Sequence, residues 1–199
     1  MPFKPPTILD SSKTPPHRPV VYGAPKIGKT MLALSYPRPL VLDTDAGLEG
    51  GAVKGRKDIL SWVPSSWEDL NPFIKWARQN TTQYDTLVVD SLPTLVDMLL
   101  TGARLSDAKK GDKVPKNPDM YERYVTSQKH WGTVSGALGA LLYDLQLIQR
   151  ESGIHVVITS GSRTLTQEAG PGLAGKRTLA VNPKSPEVVG HWANITGEL

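Results

Sequence analysis

Short apolar runs alternate with amphipathic segments along most of this chain. Short runs rich in Val, Leu and Ile are typical of buried strands, whereas apolar residues three and four positions apart mark one face of a helix. Strands are predicted at residues 19–22, 39–42, 58–63, 86–89, 154–159 and 178–181. Helices are predicted at residues 31–36, 67–79, 92–100, 120–150 and 187–192. This alternation favours an α/β fold, a three-layer sandwich with a mainly parallel central sheet.

The segments before and between these elements indicate a single domain that is preceded by an N-terminal arm. Residues 1–17 are rich in proline and poor in apolar groups, so they are expected to form a flexible N-terminal arm before a single domain at 18–199. Two long loops are predicted at residues 101–119 and 161–180, and loops of such length are usually functional or disordered. Both loops are basic, and their candidate nucleic-acid contacts are Lys109, Lys110, Lys113, Arg163, Lys176 and Arg177.

The composition and net charge indicate the cellular compartment of the protein and the class of partner that it binds. The 199 residues suit one α/β domain, and the net charge of +4 inclines the protein towards polyanions. Cysteine is absent, so disulfides and thiolate metal sites are excluded. The N-terminus lacks the apolar core of a signal peptide, and no apolar run is long enough for a membrane span. A cytoplasmic protein without a membrane partner is therefore expected.

The octet at residues 23–30, GAPKIGKT, matches the phosphate-binding P-loop pattern G-x-x-x-x-G-K-[ST]. Its glycines allow the backbone N–H groups to approach phosphate oxygens, and the helix that follows directs its positive end at the same anion. Lys29 supplies a charge for the β- and γ-phosphates, and Thr30 supplies a hydroxyl for Mg²⁺. The predicted nucleotide-binding residues are Gly23, Ala24, Pro25, Lys26, Ile27, Gly28, Lys29, Thr30 and Met31.

Several predicted strands end in a polar residue, at the edge where open parallel sheets bind their ligands. The apolar strand at 86–89 runs into Asp90, which is a Walker B pattern, and its carboxylate is expected to hold Mg²⁺ together with Thr30. Asp45 follows the strand at 39–42 and is a candidate to activate the attacking water, with Asp43 and Glu49 as competitors. An aspartate reaches less far than a glutamate, so slow turnover is expected.

The order of these pieces resembles the RecA-type recombinase core. The resemblance lies in residues 20–30, 40–45, 87–91 and 156–160, and it covers about 18–199. The segments PLVLDTDAG, YDTLVVDS, LAGKRTLAV and EVVGHWANITGEL are most similar to small phage ATPases of that fold that act as single-strand annealing proteins.

The resemblance implies ATP and Mg²⁺ as cofactors and assigns roles by position. Asp45 falls at the position of the catalytic glutamate, and Ser160 at that of a polar sensor. The two predicted loops fall where RecA-like proteins contact single-stranded DNA, and Lys176 or Arg177 where a residue reaches a neighbour's γ-phosphate. Such proteins work as homo-oligomers, either rings or filaments, and a single-strand-binding protein is a candidate partner.

Three hypotheses about function follow. The first is an ATP-dependent protein that binds single-stranded DNA and promotes annealing or recombination. The second is a nucleoside or small-molecule kinase, in which the segment from Gly161 to Arg177 would serve as a lid. The third is a non-catalytic ATP-dependent assembly switch, which the short Asp45 and small Ser160 side chains would suit.

Overall fold

The computed structural model describes residues 15–50, 53, 55–109, 127–164, 177–180 and 185–199. Short 3₁₀ turns lie at Gly47–Gly50 and Trp67–Asp69. In chain order, the main elements are β1 (Pro19–Gly23), α1 (Lys29–Leu34), β2 (Pro39–Asp43), β3 (Leu60–Trp62), α2 (Leu70–Gln79), β4 (Thr86–Asp90), α3 (Leu92–Lys109), α4 (Gln128–Ser152), β5 (His155–Thr164), β6 (Arg177–Leu179), α5 (Ser185–Trp192) and β7 (Ile195–Glu198).

The described strands form one sheet in the order β3-β2-β4-β5-β1-β7, and β6 pairs with the far end of β5. Every pair along that order is parallel, whereas β5 and β6 are antiparallel. Strands β2 and β4 are buried at every position, as their continuous apolar runs require for the middle of a parallel sheet. The predicted α/β architecture with a mainly parallel sheet is confirmed.

Side chains alternate between the two faces of the sheet and build a separate core on each face. Leu87 and Val89 pack with helices α2 to α5 in the larger core, whereas Val88 packs with Val41 and helix α1 in the smaller one. Within the described part of the chain, no helix is both long enough and apolar enough to cross a membrane.

Helix α3 is longer than predicted. Residues 101–109 are helical, so the prediction of a loop at 101–119 is wrong for its first half. The helix continues to Lys109 because Leu99 and Ala103 keep its buried face in the core. Gly102 allows close packing there, since a Cβ atom at that position would lie 2.2 Å from Cδ1 of Trp67. Residues 110–119 lie outside the described residues.

Strand β5 is also longer than predicted, so the expected loop at 161–180 begins as a strand. Residues 161–164 continue β5 and pair with β6 in the registers Ser162↔Leu179 and Arg163↔Thr178. A polar, Gly-containing segment has no strand signal of its own, and here the partner strand supplies its hydrogen bonds. The segment from 165 to 176 lies outside the described residues.

The start of helix α4 and the presence of strand β7 also differ from the prediction. Helix α4 begins at Gln128, where Ser127 and His130 form a reciprocal capping box; residues 120–126 lie outside the described residues. Strand β7 was not predicted because four residues with little apolar character carry a weak strand signal. It pairs with β1, and the N–H of Leu199 continues this pairing by donating to the carbonyl of Tyr22 at 2.9 Å.

The last residue of the predicted arm contacts the amino end of β5. The His17 N–H donates to Nδ1 of His155 at 3.1 Å, and the His17 carbonyl accepts a hydrogen bond from the Val156 N–H at 2.9 Å. Residues 1–14 of the predicted arm lie outside the described residues.

The stability of the protein is expected to fall as the pH drops below about 6.5, the pKa of an unperturbed histidine. Burial lowers the pKa of His155, the adjacent His17 lowers it further, and Asp85 opposes both. The rings of His17 and Tyr36 face His155 at 5.5 and 5.4 Å, and Arg38 lies 3.6 Å from the Asp85 carboxylate. His155 contributes its full stabilisation at pH values above its pKa in the unfolded chain. This stabilisation is lost as the pH falls from there through the lowered pKa of His155 in the folded protein.

Urea unfolding between pH 5 and 8 measures this dependence. One titrating group changes the free energy of unfolding by at most about 1.4 kcal/mol per pH unit. The variant His155→Asn keeps an acceptor for the His17 N–H but cannot titrate, so it is expected to flatten that slope. His191→Asn, on the exposed side of α5, is the control and should keep the wild-type slope. An unchanged slope in His155→Asn contradicts the assignment.

Candidate nucleotide-binding site

The P-loop connects the end of β1 to the start of α1 through two left-handed residues. Lys26 has φ 64° and Gly28 has φ 104°, and the second of these strongly favours glycine. At Gly23 the constraint is space, because a Cβ atom there would lie 2.8 Å from the Leu199 carbonyl oxygen. Both glycines of the motif therefore have a physical reason to be glycine.

Lys29 is held at the mouth of this loop. Its ammonium donates to the carbonyl oxygens of Gly23 at 3.2 Å and Ala24 at 2.7 Å. These partners are neutral, and Lys29 forms no ion pair with a carboxylate in the described part of the chain. No described carboxylate therefore neutralises the lysine charge, which suits it to binding an anion.

Asp90 joins three elements at the carboxyl edge of the sheet. The Thr30 hydroxyl on α1 donates to Oδ2 of Asp90 at 2.7 Å. The Thr159 hydroxyl on β5 donates to Oδ1 of the same carboxylate. Asp90 is 7% exposed and Thr159 is fully buried, so both groups are shielded from water. The structure thus brings together the two residues that were predicted to hold a metal ion.

The donor set fits Mg²⁺. A hydroxyl and a carboxylate are hard oxygen ligands, and Mg²⁺ is typically bound by one or two protein oxygens together with phosphates and water. Among the residues that the structure describes, no cluster of three or more His, Cys, Asp or Glu side chains could hold a metal ion. A metal at Thr30 and Asp90 would therefore complete its coordination with oxygens from a nucleotide and water.

Of the acidic candidates after β2, Asp43 has a structural role. It is fully buried, and its carboxylate accepts hydrogen bonds from the N–H groups of Gly47 at 3.0 Å and Leu48 at 3.1 Å. Burial raises the pKa of Asp43 and the neighbouring Asp45 adds to that rise, while the two backbone donors oppose it. Asp43 thus stabilises the turn after β2.

Asp45 is exposed and lies beside the end of β4. Its Oδ1 accepts from the Gly47 N–H at 3.1 Å, and its Oδ2 is 3.5 Å from the hydroxyl of Ser91, the residue that follows Asp90. The Thr44 hydroxyl donates to the Ser91 carbonyl and accepts from its N–H, at 2.8 and 2.9 Å. The turn after β2 is therefore tied to the Walker B strand. The side chain of Glu49 lies outside the described residues.

Ser160 and Thr159 occupy opposite faces of β5. Ser160 is fully buried next to Tyr22 in the strand register, and its hydroxyl has no hydrogen-bond partner in the described residues. Thr159, which no sequence motif singles out, is the residue that contacts Asp90. Both are polar residues that follow one apolar run, so only the strand register could distinguish them.

The structure describes only some of the basic residues that are candidates for contacting nucleic acid. Arg163 lies on the extension of β5, is partly buried, and its Nε–H has no hydrogen-bond partner in the described residues. Lys109 ends α3 and Arg177 begins β6, but their side chains lie outside the description. The remaining candidates outside the described residues are Lys110, Lys113 and Lys176. In the P-loop region, Ile27 and Met31 are about half exposed.

Comparison with known proteins found a family model and solved structures that match this chain. A family model described as an AAA domain (AAA_24) matches residues 16–199. The solved structure titled "Crystal structure of the RadB recombinase" matches with a TM-score of 0.52 and 15% sequence identity, covering 92% of this chain and 74% of that chain. No protein in the curated set matches significantly. At this identity the structural likeness concerns the fold.

Proposed function

Because the chain belongs to the AAA_24 family of AAA domains and is a P-loop ATPase with a RecA-like fold, we propose that it binds ATP with Mg²⁺ and hydrolyses it slowly. We further propose that it binds single-stranded DNA as a homo-oligomer and promotes annealing or recombination. The family match and the fold likeness support the ATPase part, and the basic residues near the nucleotide edge support the DNA part.

The observation that carries the ATPase proposal is the contact between Thr30 and Asp90. These residues are distant in sequence, yet their side chains meet at 2.7 Å at the carboxyl edge of the sheet, next to Lys29. If Thr30 and Asp90 only stabilised the fold, no glycine-containing phosphate loop would be needed directly before Thr30. The arrangement suits a phosphate chain whose charge is shared by a lysine and a hard metal ion.

Each residue then has a role in the proposed reaction. Lys29 would exchange its carbonyl partners for oxygens of the β- and γ-phosphates. Thr30 and Asp90 would hold Mg²⁺, which would supply positive charge to the phosphates. Asp45 orients the attacking water and accepts its proton, in a position maintained by Ser91. The carboxylate is one methylene shorter than that of glutamate, which is the reason for proposing slow turnover.

The DNA-binding proposal is supported by the hairpin of β5 and β6. Its strands leave the sheet next to the P-loop edge, because Gly161 pairs with Gly23 and the hairpin begins directly after it. Arg163 lies two residues beyond this pair, about 7 Å further along the strand. Arg163 therefore lies near the nucleotide edge. Arg177 pairs with Thr164, the residue that follows Arg163, and Lys176 precedes Arg177 in the sequence.

The test is binding of a fluorescent single-stranded oligonucleotide, with and without ATP and Mg²⁺, at 50 and 200 mM salt. Affinity is expected to fall steeply with salt because phosphate contacts release counterions. The triple variant Arg163→Ala, Lys176→Ala, Arg177→Ala should bind less tightly, and its salt slope should be smaller by about 2 if three contacts are lost. A double variant of exposed lysines elsewhere, Lys57→Ala with Lys75→Ala, should bind as wild type.

The outcomes distinguish the three hypotheses. Absence of DNA binding at 50 mM salt, with ATP bound, contradicts the recombination function and leaves the ATPase assignment in place. Transfer of phosphate to a nucleoside or small acid would establish a kinase, and ATP binding without turnover would establish a switch. Light scattering of the same samples measures the oligomeric mass, and a monomer in the presence of ATP and DNA contradicts the proposed oligomer.

A further inference from the structure

Thr159 is placed against the Walker B carboxylate by the register of β4 and β5. Val89 pairs with Ile158, so the next position along both strands brings Asp90 and Thr159 side by side on one face of the sheet. The Thr159 side chain is fully buried, and its hydroxyl donates to Oδ1 of Asp90. None of the nucleotide-site roles described above uses this residue.

The two hydroxyls hold Asp90 from opposite sides. Thr30 donates to Oδ2 and Thr159 donates to Oδ1, so the carboxylate plane cannot rotate without breaking one of these bonds. Each carboxylate oxygen has about two acceptor sites, and a single hydrogen bond leaves one of them for a cation. The carboxylate is thus oriented by the protein before any metal ion arrives.

We propose that Thr159 is a positioning residue for Mg²⁺: its hydroxyl orients Asp90 so that Oδ2 faces Thr30 and the metal. The proposal rests on the proposed function, because it concerns the Mg²⁺ that accompanies the nucleotide. Groups that orient a metal ligand by hydrogen bonding raise the affinity for the metal about 10- to 100-fold. The effect of Thr159 should therefore be visible in the requirement for Mg²⁺ rather than in the affinity for the nucleotide alone.

The chain provides a matched control for removal of a buried threonine hydroxyl. Thr86 is also fully buried, also on a central strand, and its hydroxyl donates to the Pro37 carbonyl at 2.9 Å. Thr86 begins β4 and so lies at the opposite edge of the sheet from Asp90. Replacement by valine keeps the shape at either position and removes only the hydroxyl.

The experiment titrates a fluorescent ATP analogue against Thr159→Val, Thr159→Ser, Thr86→Val and the wild-type chain, over a series of Mg²⁺ concentrations and in EDTA. In Thr159→Val, the Mg²⁺ concentration for half-maximal binding should rise about tenfold or more, while affinity in EDTA stays as in wild type. Thr159→Ser restores the hydroxyl and should behave as wild type. Thr86→Val should show the wild-type Mg²⁺ requirement.

Two outcomes overturn the positioning role while the proposed function stands: a wild-type Mg²⁺ requirement in Thr159→Val, or an equal change in Thr159→Val and Thr86→Val. If the wild-type chain binds no ATP at any Mg²⁺ concentration, both the proposed function and the positioning role are wrong. Should Thr159→Val fail to fold, Thr159→Ala measured in the same way gives the same decision.

Discussion

Replacement of Lys29 by alanine is expected to weaken ATP binding roughly 30-fold or more. Loss of one partner from a desolvated charge pair costs about 2–5 kcal/mol, and each 1.4 kcal/mol is tenfold in affinity. The Lys29 ammonium lies at the P-loop mouth, bonded only to neutral carbonyls among the described groups, so its charge is available to the phosphates. Isothermal titration with ATP and Mg²⁺ measures the loss.

The control for this variant is Lys75→Ala, which removes the same charge from the exposed side of α2. It should leave ATP affinity unchanged, and circular dichroism should show both variants folded. Wild-type affinity in Lys29→Ala would mean that the nucleotide does not bind at the octet from Gly23 to Thr30, and the assignment of the site would then be wrong.

Replacement of Asp45 by asparagine is expected to slow ATP hydrolysis about 100-fold or more and to leave ATP affinity close to wild type. General-base groups contribute roughly 10²–10⁴-fold to rate, and asparagine retains the side-chain shape without the ability to accept a proton. Asp45 is exposed beside Ser91, whereas Asp43 is buried and accepts a backbone hydrogen bond on each carboxylate oxygen. Single-turnover phosphate release, measured with and without single-stranded DNA, tests this expectation.

Asp97→Asn serves as the matched control, because Asp97 is exposed on α3 and has no role in the proposed reaction. Its hydrolysis rate should equal that of the wild type. A wild-type rate in Asp45→Asn would transfer the role to Glu49. Reduced ATP affinity in Asp45→Asn would instead indicate that the carboxylate binds the metal or the nucleotide directly.

Local sequence determined much of the fold and the core of the candidate site. The apolar runs of β2 and β4 predict buried strands because only a doubly covered sheet can bury such runs from both sides. The P-loop octet predicts a turn with a left-handed glycine because its function demands that geometry within eight residues, and φ at Gly28 is 104°. Asp90 was identifiable as the polar end of a buried strand.

Elements that depend on distant partners were not predictable in the same way. The extension of β5 through Thr164 exists because β6 pairs with it, and β7 exists because β1 offers an open edge. Helix α3 passes its predicted end because Gly102 packs against Trp67, a contact between residues far apart in sequence. Each of these segments has a weak local signal, and tertiary hydrogen bonds or packing decide its conformation.

The sequence by itself determined the class of fold and the phosphate-loop pattern, and it predicted Thr30 and Asp90 as metal ligands, since each of these signals lies in a short contiguous segment. Only the tertiary structure decided which carboxylate after β2 is available and which hydroxyl at the end of β5 contacts Asp90. The reason is the alternation of side chains along a strand: a shift of one residue in the register of β5 would put Ser160 beside Asp90 and turn Thr159 to the other face of the sheet.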